Sequence, residues 1–310
     1  MSDHKLYHRT LRLMGNQFQL SAMGDSEEWS QDCIDAAVHE IRRIEKKLTT
    51  YSEDSETALI NRNAGIKSVM ISREIFELIE RSQKISEITQ GAFDITYGSA
   101  DKQLWNFDTG IDRLPDVLTA GKMVRLINFR NVLLNRSDFS IILKEKGMRI
   151  GFGGIGKGYA AEMAKKVMKA KGVQSGIVNA SGDMTTWGLQ PNGKPWTIGI
   201  ADPNLKDRAF SYINITDLAV ATSGNYEKYV MINGLKYSHT INPRTGLPIR
   251  GIKSVTVITT DAEIADAMTT PVMIMGVEAG LHMINQIYNV EVVIIDDEDK
   301  VYVSKNIRIN

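Results

Sequence analysis

The chain has 310 residues, 43% of them hydrophobic and 24% charged, and thirty-seven basic side chains balance thirty-seven acidic ones. This composition predicts a globular protein with a substantial core and at most two domains, and it excludes a disordered chain. Zero net charge excludes a global field that would draw the molecule to nucleic acid or an anionic membrane, and the single cysteine, Cys33, excludes an internal disulfide or a cysteine-rich metal site.

Residues Met1 to Gln19 carry basic side chains but no apolar signal-peptide core, and Cys33 follows Gln31-Asp32. No export signal, lipid anchor or transmembrane span is expected. As written, the sequence predicts a cytoplasmic protein, or a periplasmic one if its N-terminus has been trimmed. From Ser26 to Leu48, apolar residues recur at helical spacing (Trp29, Cys33, Ala37, Ile41, Ile44, Leu48) and predict an amphipathic helix. A second helix is expected over Ser72–Thr89, from a Ser N-cap to just before Gly91. A polar, Gly-interrupted region follows to about Lys122. Three short runs (Phe129–Asn135, Phe139–Lys144, Met148–Phe152) read as strands, the last two joined by a turn at Glu145-Lys146-Gly147.

A helix is predicted from Ile155 to Lys169, then strands at Gly176–Asn179, Thr197–Ile200, Phe210–Thr216 and Ser254–Thr259. Two helices (Ala262–Met275, Glu278–Ile287) precede a closing hairpin of Val290–Ile295 with Val301–Ser304. Consecutive strands outnumber crossover helices, so the expected class is α+β, with mixed, largely antiparallel sheets flanked by helices. No internal repeat or linker marks a domain boundary.

The segment Gly151-Phe152-Gly153-Gly154-Ile155-Gly156-Lys157-Gly158 fits G-x-G-x-x-G, and also G-x-x-x-x-G-K with Gly158 where a P-loop has Ser or Thr. A dinucleotide fold would want an acid at the end of the next strand, which instead ends at Asn179, and a P-loop lacks the hydroxyl for its metal. The glycines can equally serve close packing of the helix on the sheet, with Lys157 a charge in its first turn. Any phosphate bound here would meet the N–H groups of a helix start.

Two small-residue turns are read at Asn179-Ala180-Ser181-Gly182-Asp183 and Ala221-Thr222-Ser223-Gly224. His239 stands at a strand end beside Asn242-Pro243 and Thr245-Gly246, where it is either structural or part of a site. Asp266 and Thr270 lie four apart on a predicted helix and share one face, with Thr269 beside them. Their oxygens suit Mg²⁺, or else satisfy the helix locally. Pro271 cannot donate to the Ala267 carbonyl, which should free that oxygen and kink the helix.

In this order the motifs resemble the ApbE family of FAD:protein FMN transferases over nearly the whole chain. Met14-Gly15-Asn16 is similar to the family's Met-Gly-Thr. Tyr51-Ser52-Glu53-Asp54-Ser55-Glu56 corresponds to Tyr-x-x-Asp-Ser-Glu, followed by Leu59 and Asn61. Gly91-Ala92-Phe93-Asp94-Ile95-Thr96 corresponds to Gly-x-Phe-Asp-x-Thr, with Leu104-Trp105 after it. The glycine segment, both small-residue turns, the Ser238-to-Gly246 block and the Asp266 helix complete the series.

The resemblance implies an ApbE-like, T-fold-like architecture over residues 1–310, as a single catalytic unit or two intertwined α/β subdomains. It implies FAD as donor substrate, Mg²⁺ as cofactor and a Ser or Thr hydroxyl on a partner flavoprotein as acceptor, with AMP released. By position, Met14, Tyr51, Ala92, Phe93, Asp94, Gly151, Lys157 and Ile241 match FAD contacts. Asp266, Thr270, the adjacent Thr269 and the Gly154 carbonyl match the metal site. His239 and Lys157 are the catalytic candidates, for the acceptor's proton and for developing phosphate charge.

Four positions depart from the family pattern. Gly151 replaces an acid and leaves only backbone contact, while Asn16, Ser181 and Asn242 replace Thr, Gly and Asp. Hydrolysis of FAD to FMN and AMP, and flavin binding without turnover, are the alternative functions.

Overall fold

The computed structural model describes residues 5–104, 113–201, 209–225 and 229–307. Trp105 of the Leu-Trp motif lies outside them. The chain opens with a hairpin that sequence patterning passed over, β1 (Lys5–Leu13) and β2 (Asn16–Gly24). Its two-residue turn, Met14-Gly15, has positive φ at both positions (51° and 74°), the twist that suits antiparallel neighbours. Charged residues along β1 hide the strand because this edge is half exposed.

Helix α1 (Glu27–Leu48) begins where Ser26 caps the Trp29 N–H, and it buries Cys33, Ala37, Ile41, Ile44 and Leu48 as the spacing predicts. Next come α2 (Glu56–Arg62), capped by Ser55, β3 (Val69–Met70) and α3 (Arg73–Ile88). Ser72 takes the expected N-cap position of α3, but its hydroxyl donates to Glu56 instead of capping. Helix α4 (Val117–Met123) falls in the region read as polar and irregular, and β4 (Val132–Asn135) and β5 (Ser140–Leu143) form a hairpin.

The expected strand at Met148–Phe152 does not form. Its backbone is satisfied by side chains instead: Asn61 both donates to the Ile150 carbonyl (3.0 Å) and accepts the Ile150 N–H (2.8 Å), and Ser99 does the same for Arg149. An apolar run can therefore be extended and buried without a strand neighbour.

After α5 (Gly156–Ala170) come β6 (Gly176–Ala180), β7 (Asp183–Trp187), β8 (Trp196–Ala201), β9 (Ala209–Ile215) and β10 (Ala219–Gly224). They are followed by β11 (Tyr229–Ile232), β12 (Leu235–Ser238), β13 (Ile252–Thr259), α6 (Ala262–Met275), α7 (Val277–Ile284), β14 (Val290–Asp296) and β15 (Val301–Val303). The segment Ala221–Gly224, expected as a turn, is part of β10 in register with β13. Its small side chains are needed because α6 lies against it.

The main sheet runs β1-β2-β6-β7-β10-β13-β14-β15, antiparallel throughout, and β3-β5-β4 forms a smaller sheet. Alternation along the strands sorts the two faces. Val178, Ala180, Ala221, Val255 and Val257 join the large core under α1, α5 and α6. Ile177, Met184, Val220 and Ile258 point the other way, onto Trp196, Ile198 and Ile215 of the β8–β9 hairpin.

Charges tie the helices together at one end. Glu74 of α3 accepts two bonds from Arg43 (2.6 Å each) and one from the Tyr159 hydroxyl (2.7 Å), with Lys47 at 3.3 Å. The Arg43 guanidinium leads in holding the Glu74 carboxyl down, at about 2 against an ordinary 4.5. A carboxylate depressed in the folded state stabilises fully above its unfolded pKa and loses that contribution as pH falls through the folded one. Urea unfolding should show this contribution disappearing between about pH 4.5 and about pH 2, with the acid limb flattened in Glu74→Gln. Identical limbs in the two proteins would remove Glu74 from the account.

Candidate active site

Close contact between α5 and α6 builds the centre of the site. A Cβ placed on Gly158 would lie 2.0 Å from the Ala262 carbonyl oxygen and 2.7 Å from the Asp266 Cβ, so only glycine lets the helices meet there. The contact brings Asp266 Oδ2 to the Gly158 N–H (2.9 Å). One of the helix-start N–H groups expected to face a phosphate is thus occupied by a carboxylate. Another, that of Gly156, donates to the Phe152 carbonyl (2.7 Å).

Lys157, in the first turn of α5, reaches between two acids. Its ammonium pairs closely with Asp183 and lies 3.4 Å from Asp266 Oδ1. Asp183 and Asp266 are buried, at 4% and 5% exposure. Burial and the Asp266 charge push the Asp183 carboxyl up to about 7, against the opposing pull of Lys157 and a bond from the Thr222 backbone. Burial works to lower the Lys157 pKa, but Asp266 and then Asp183 outweigh it and hold the ammonium protonated.

Asp183 enters β7 directly after the turn Ser181-Gly182, where both φ values are positive (56° and 101°) and Asn179 Oδ1 accepts the Gly182 N–H. The serine that replaces glycine therefore sits in the left-handed region and leaves the turn intact. Sequence reading gave Asp183 only as the end of that turn. An acid on the first strand residue after a two-residue turn was the available signal, because such a residue is aimed rigidly.

On α6, the Thr269 hydroxyl donates to the Asp266 carbonyl and meets Ser223 Oγ of β10 at 2.8 Å, so both its proton and a lone pair are engaged. Thr270, on the same face as Asp266, is half-buried, and Pro271 stands inside an otherwise continuous helix. Gly154 lies beside Phe93, whose ring would be 3.6 Å from a Cβ there. Met14 reaches α5 from the β1–β2 turn, 3.7 Å from a Cβ placed on Gly156. The Asn16 side chain donates to the Met14 carbonyl (2.8 Å) and so stiffens that turn.

A single 3-10 turn, Ile95–Ser99, ties in the remaining residues. Asp94 caps it, accepting from Thr96 N–H (2.8 Å), Thr96 Oγ1 (2.6 Å) and Phe129 N–H (2.9 Å). The Asp94 carboxylate is thus spent on the scaffold. Gly151 donates its N–H to the Ile95 carbonyl, and Ile241 donates its N–H to the Tyr97 hydroxyl (3.0 Å). Asn242 accepts the Arg244 N–H as an Asp would in an Asx turn.

His239 is exposed after β12, held by its neighbours Ser238 and Thr240, which pair with Ile249. Tyr51 is 99% exposed between α1 and α2, its ring uncovered. Ala92 and Asn242 line a cleft of about 1040 Å³ together with Thr89, Met275 and Met283. Lys157 and Asp266 are not among its lining residues.

The ApbE family model matches residues 14–294 of this chain. The chain belongs to the ApbE family. It is 30% identical over 308 residues to an FAD:protein FMN transferase of Klebsiella pneumoniae, covering 99% of this chain and 92% of that relative. It is 28% identical over 276 residues to one of Vibrio cholerae, covering 86% and 81%. The crystal structure of the ApbE protein of Thermotoga maritima superposes with a TM-score of 0.86 at 28% identity, over 97% of each chain. The apo Pseudomonas stutzeri flavinyl transferase ApbE gives 0.85 at 25% identity, over 97% and 95%. The α+β architecture expected from the sequence is accordingly that of ApbE proteins.

The residues of this ApbE site fit a hard divalent cation. Two buried carboxylates share one lysine, and a cation beside them would be held by their charge. Among the described residues, no group of three His, Cys, Asp or Glu side chains gathers to cage a metal. An oxygen site poor in protein ligands suits Mg²⁺, which keeps waters and takes substrate phosphates into its shell. Among the described residues, no helix is long and apolar enough to cross a membrane.

Proposed function

We propose that residues 1–310 act as one catalytic unit that transfers FMN from FAD to a Ser or Thr hydroxyl of a flavoprotein, with release of AMP. The observation that carries this reading is Lys157 lodged between Asp183 and Asp266 at the start of α5. Such a site answers to a cleaved pyrophosphate better than to a dinucleotide held for hydride transfer, because charge must be balanced where the anhydride breaks. The relatives named FAD:protein FMN transferase point the same way.

In this reading Met14, Tyr51, Ala92, Phe93, Gly151 and Ile241 surround FAD, and the exposed Tyr51 ring offers a face for the flavin to stack on. Asp94 acts by bracing the 3-10 turn behind them. Asp266 and Thr270, with the Gly154 carbonyl, would hold magnesium, while Thr269 braces the helix through Ser223. When bound, the ion supplies positive charge that neutralises the pyrophosphate oxygens. Lys157 adds its ammonium at the same oxygens. The acceptor oxygen bonds to the FMN phosphorus, the bond from that phosphorus to the bridging oxygen breaks, and AMP leaves with that oxygen. The hydroxyl proton passes to His239, whose exposure suits a base that must meet a protein acceptor arriving from solvent.

The test is incubation with FAD and Mg²⁺, with and without a flavoprotein domain bearing an acceptor Thr. Flavin fluorescence that stays on the acceptor through denaturing electrophoresis is the expected result. Free FMN and AMP in equal amounts with or without acceptor would make the protein a hydrolase, and unchanged FAD would refute both activities.

A further inference from the structure

We propose that Asp183 is a positioning residue: it draws the Lys157 ammonium away from Asp266 and so leaves Asp266 open to the metal. This rests on the reading of Asp266 as a metal ligand. Asp266 has two carboxylate oxygens, and Oδ2 is already committed to the Gly158 N–H at 2.9 Å. The remaining oxygen, Oδ1, is the one Lys157 approaches. A metal bound there and a lysine pressed onto the same atom would be two cations at one oxygen, and their repulsion would be strong in a site this buried.

The geometry resolves the conflict through a second acid. Lys157 lies 3.4 Å from Asp266 Oδ1, beyond the usual length of a charge-assisted hydrogen bond, while its close pairing is with Asp183. Asp183 cannot follow the lysine elsewhere, because it leaves a tight turn at the start of β7 and is buried. Lys157 is thereby kept beside the phosphates' expected position but off the metal's oxygen. Without Asp183, the half-buried ammonium would have Asp266 as its remaining acidic partner, and lysine and metal would compete for it.

Mn²⁺ binding to the full chain, followed by electron paramagnetic resonance without FAD, separates this role from a merely structural one. Asp183→Asn keeps the shape and removes the charge, and it should weaken Mn²⁺ binding about tenfold. Adding Lys157→Met to it should restore binding to within about threefold of the starting protein, which repair of a damaged fold would not do. Lys157→Met alone should bind Mn²⁺ at least as tightly as the unaltered chain, a comparison that stands even if Asp183→Asn fails to fold. Undiminished binding in Asp183→Asn, no recovery in the double variant, or weaker binding in Lys157→Met would each overturn the proposal. Asp266→Ala serves as the separate control: Mn²⁺ binding that survives it, or no binding by the unaltered chain, refutes the metal site itself.

Discussion

Asp266→Ala should abolish Mg²⁺-dependent release of AMP from FAD, a loss of at least about a thousandfold, or roughly 4 kcal/mol of transition-state stabilisation. One side chain has this effect because it does two things at once. In the proposed site its carboxylate would offer the negative oxygen to the cation, and it also accepts the Gly158 N–H that joins α6 to the start of α5. Alanine removes both and leaves a buried donor unpaired, a cost to stability of about 1–3 kcal/mol. Asp266→Asn separates the two roles, because the amide oxygen still accepts from Gly158 while the charge is gone. The asparagine variant should therefore melt close to the parent protein and yet be inactive. Full Mg²⁺-dependent turnover in either variant would refute the metal site.

Gly158→Ser should cost about 3 kcal/mol or more in stability and most of the turnover, although it completes the sequence pattern of a P-loop. A Cβ there would meet the Ala262 carbonyl oxygen at 2.0 Å, and a backbone oxygen in a helix cannot swing aside as a side-chain tip can. The helices would have to part, and Asp266 would move with α6 away from Lys157. Gly153→Ala is the contrast, since nothing lies within 4 Å of a Cβ at that position and the fold should tolerate it. Thermal unfolding of the two variants checks the pair. A Gly158→Ser protein as stable as the parent would mean that the two helices do not depend on this contact.

The glycine segment also marks how far the sequence can be read. Helices α1 and α3 are legible because each buries one stripe of residues at helical spacing, whereas α6 is buried on most of its sides. Two misreadings have a common cause in small or backbone-satisfying side chains. Met148–Phe152 looks like a strand, but its hydrogen bonds go to Asn61 and Ser99, which are distant in sequence. Ala221–Gly224 looks like a turn, but its small residues make room in a strand for α6 and the Ser223–Thr269 contact.

The candidate site was legible mainly as ordered motifs matching a family; periodicity and spacing alone left Rossmann, P-loop and packing readings open. The pairing of Lys157 with Asp183 could not be read from spacing, since it joins a helix start to a hairpin turn through the fold. Asp94 shows the reverse. Its match to an FAD contact is clear in the sequence, while its carboxylate is taken up by Thr96 and Phe129. The acid missing at Gly151 leaves a half-buried residue whose N–H is bonded to the Ile95 carbonyl, so that N–H is already engaged within the fold.

The most direct measurement is the stoichiometry of AMP release against flavin bound covalently to an acceptor domain, with FAD as donor, in Mg²⁺ and again with the metal chelated. Metal-assisted transfer at the Lys157–Asp183–Asp266 centre predicts one AMP per flavinylated acceptor in Mg²⁺ and neither product after chelation. Flavinylation that continues undiminished without a divalent cation, or AMP release unconnected to the acceptor, would contradict it.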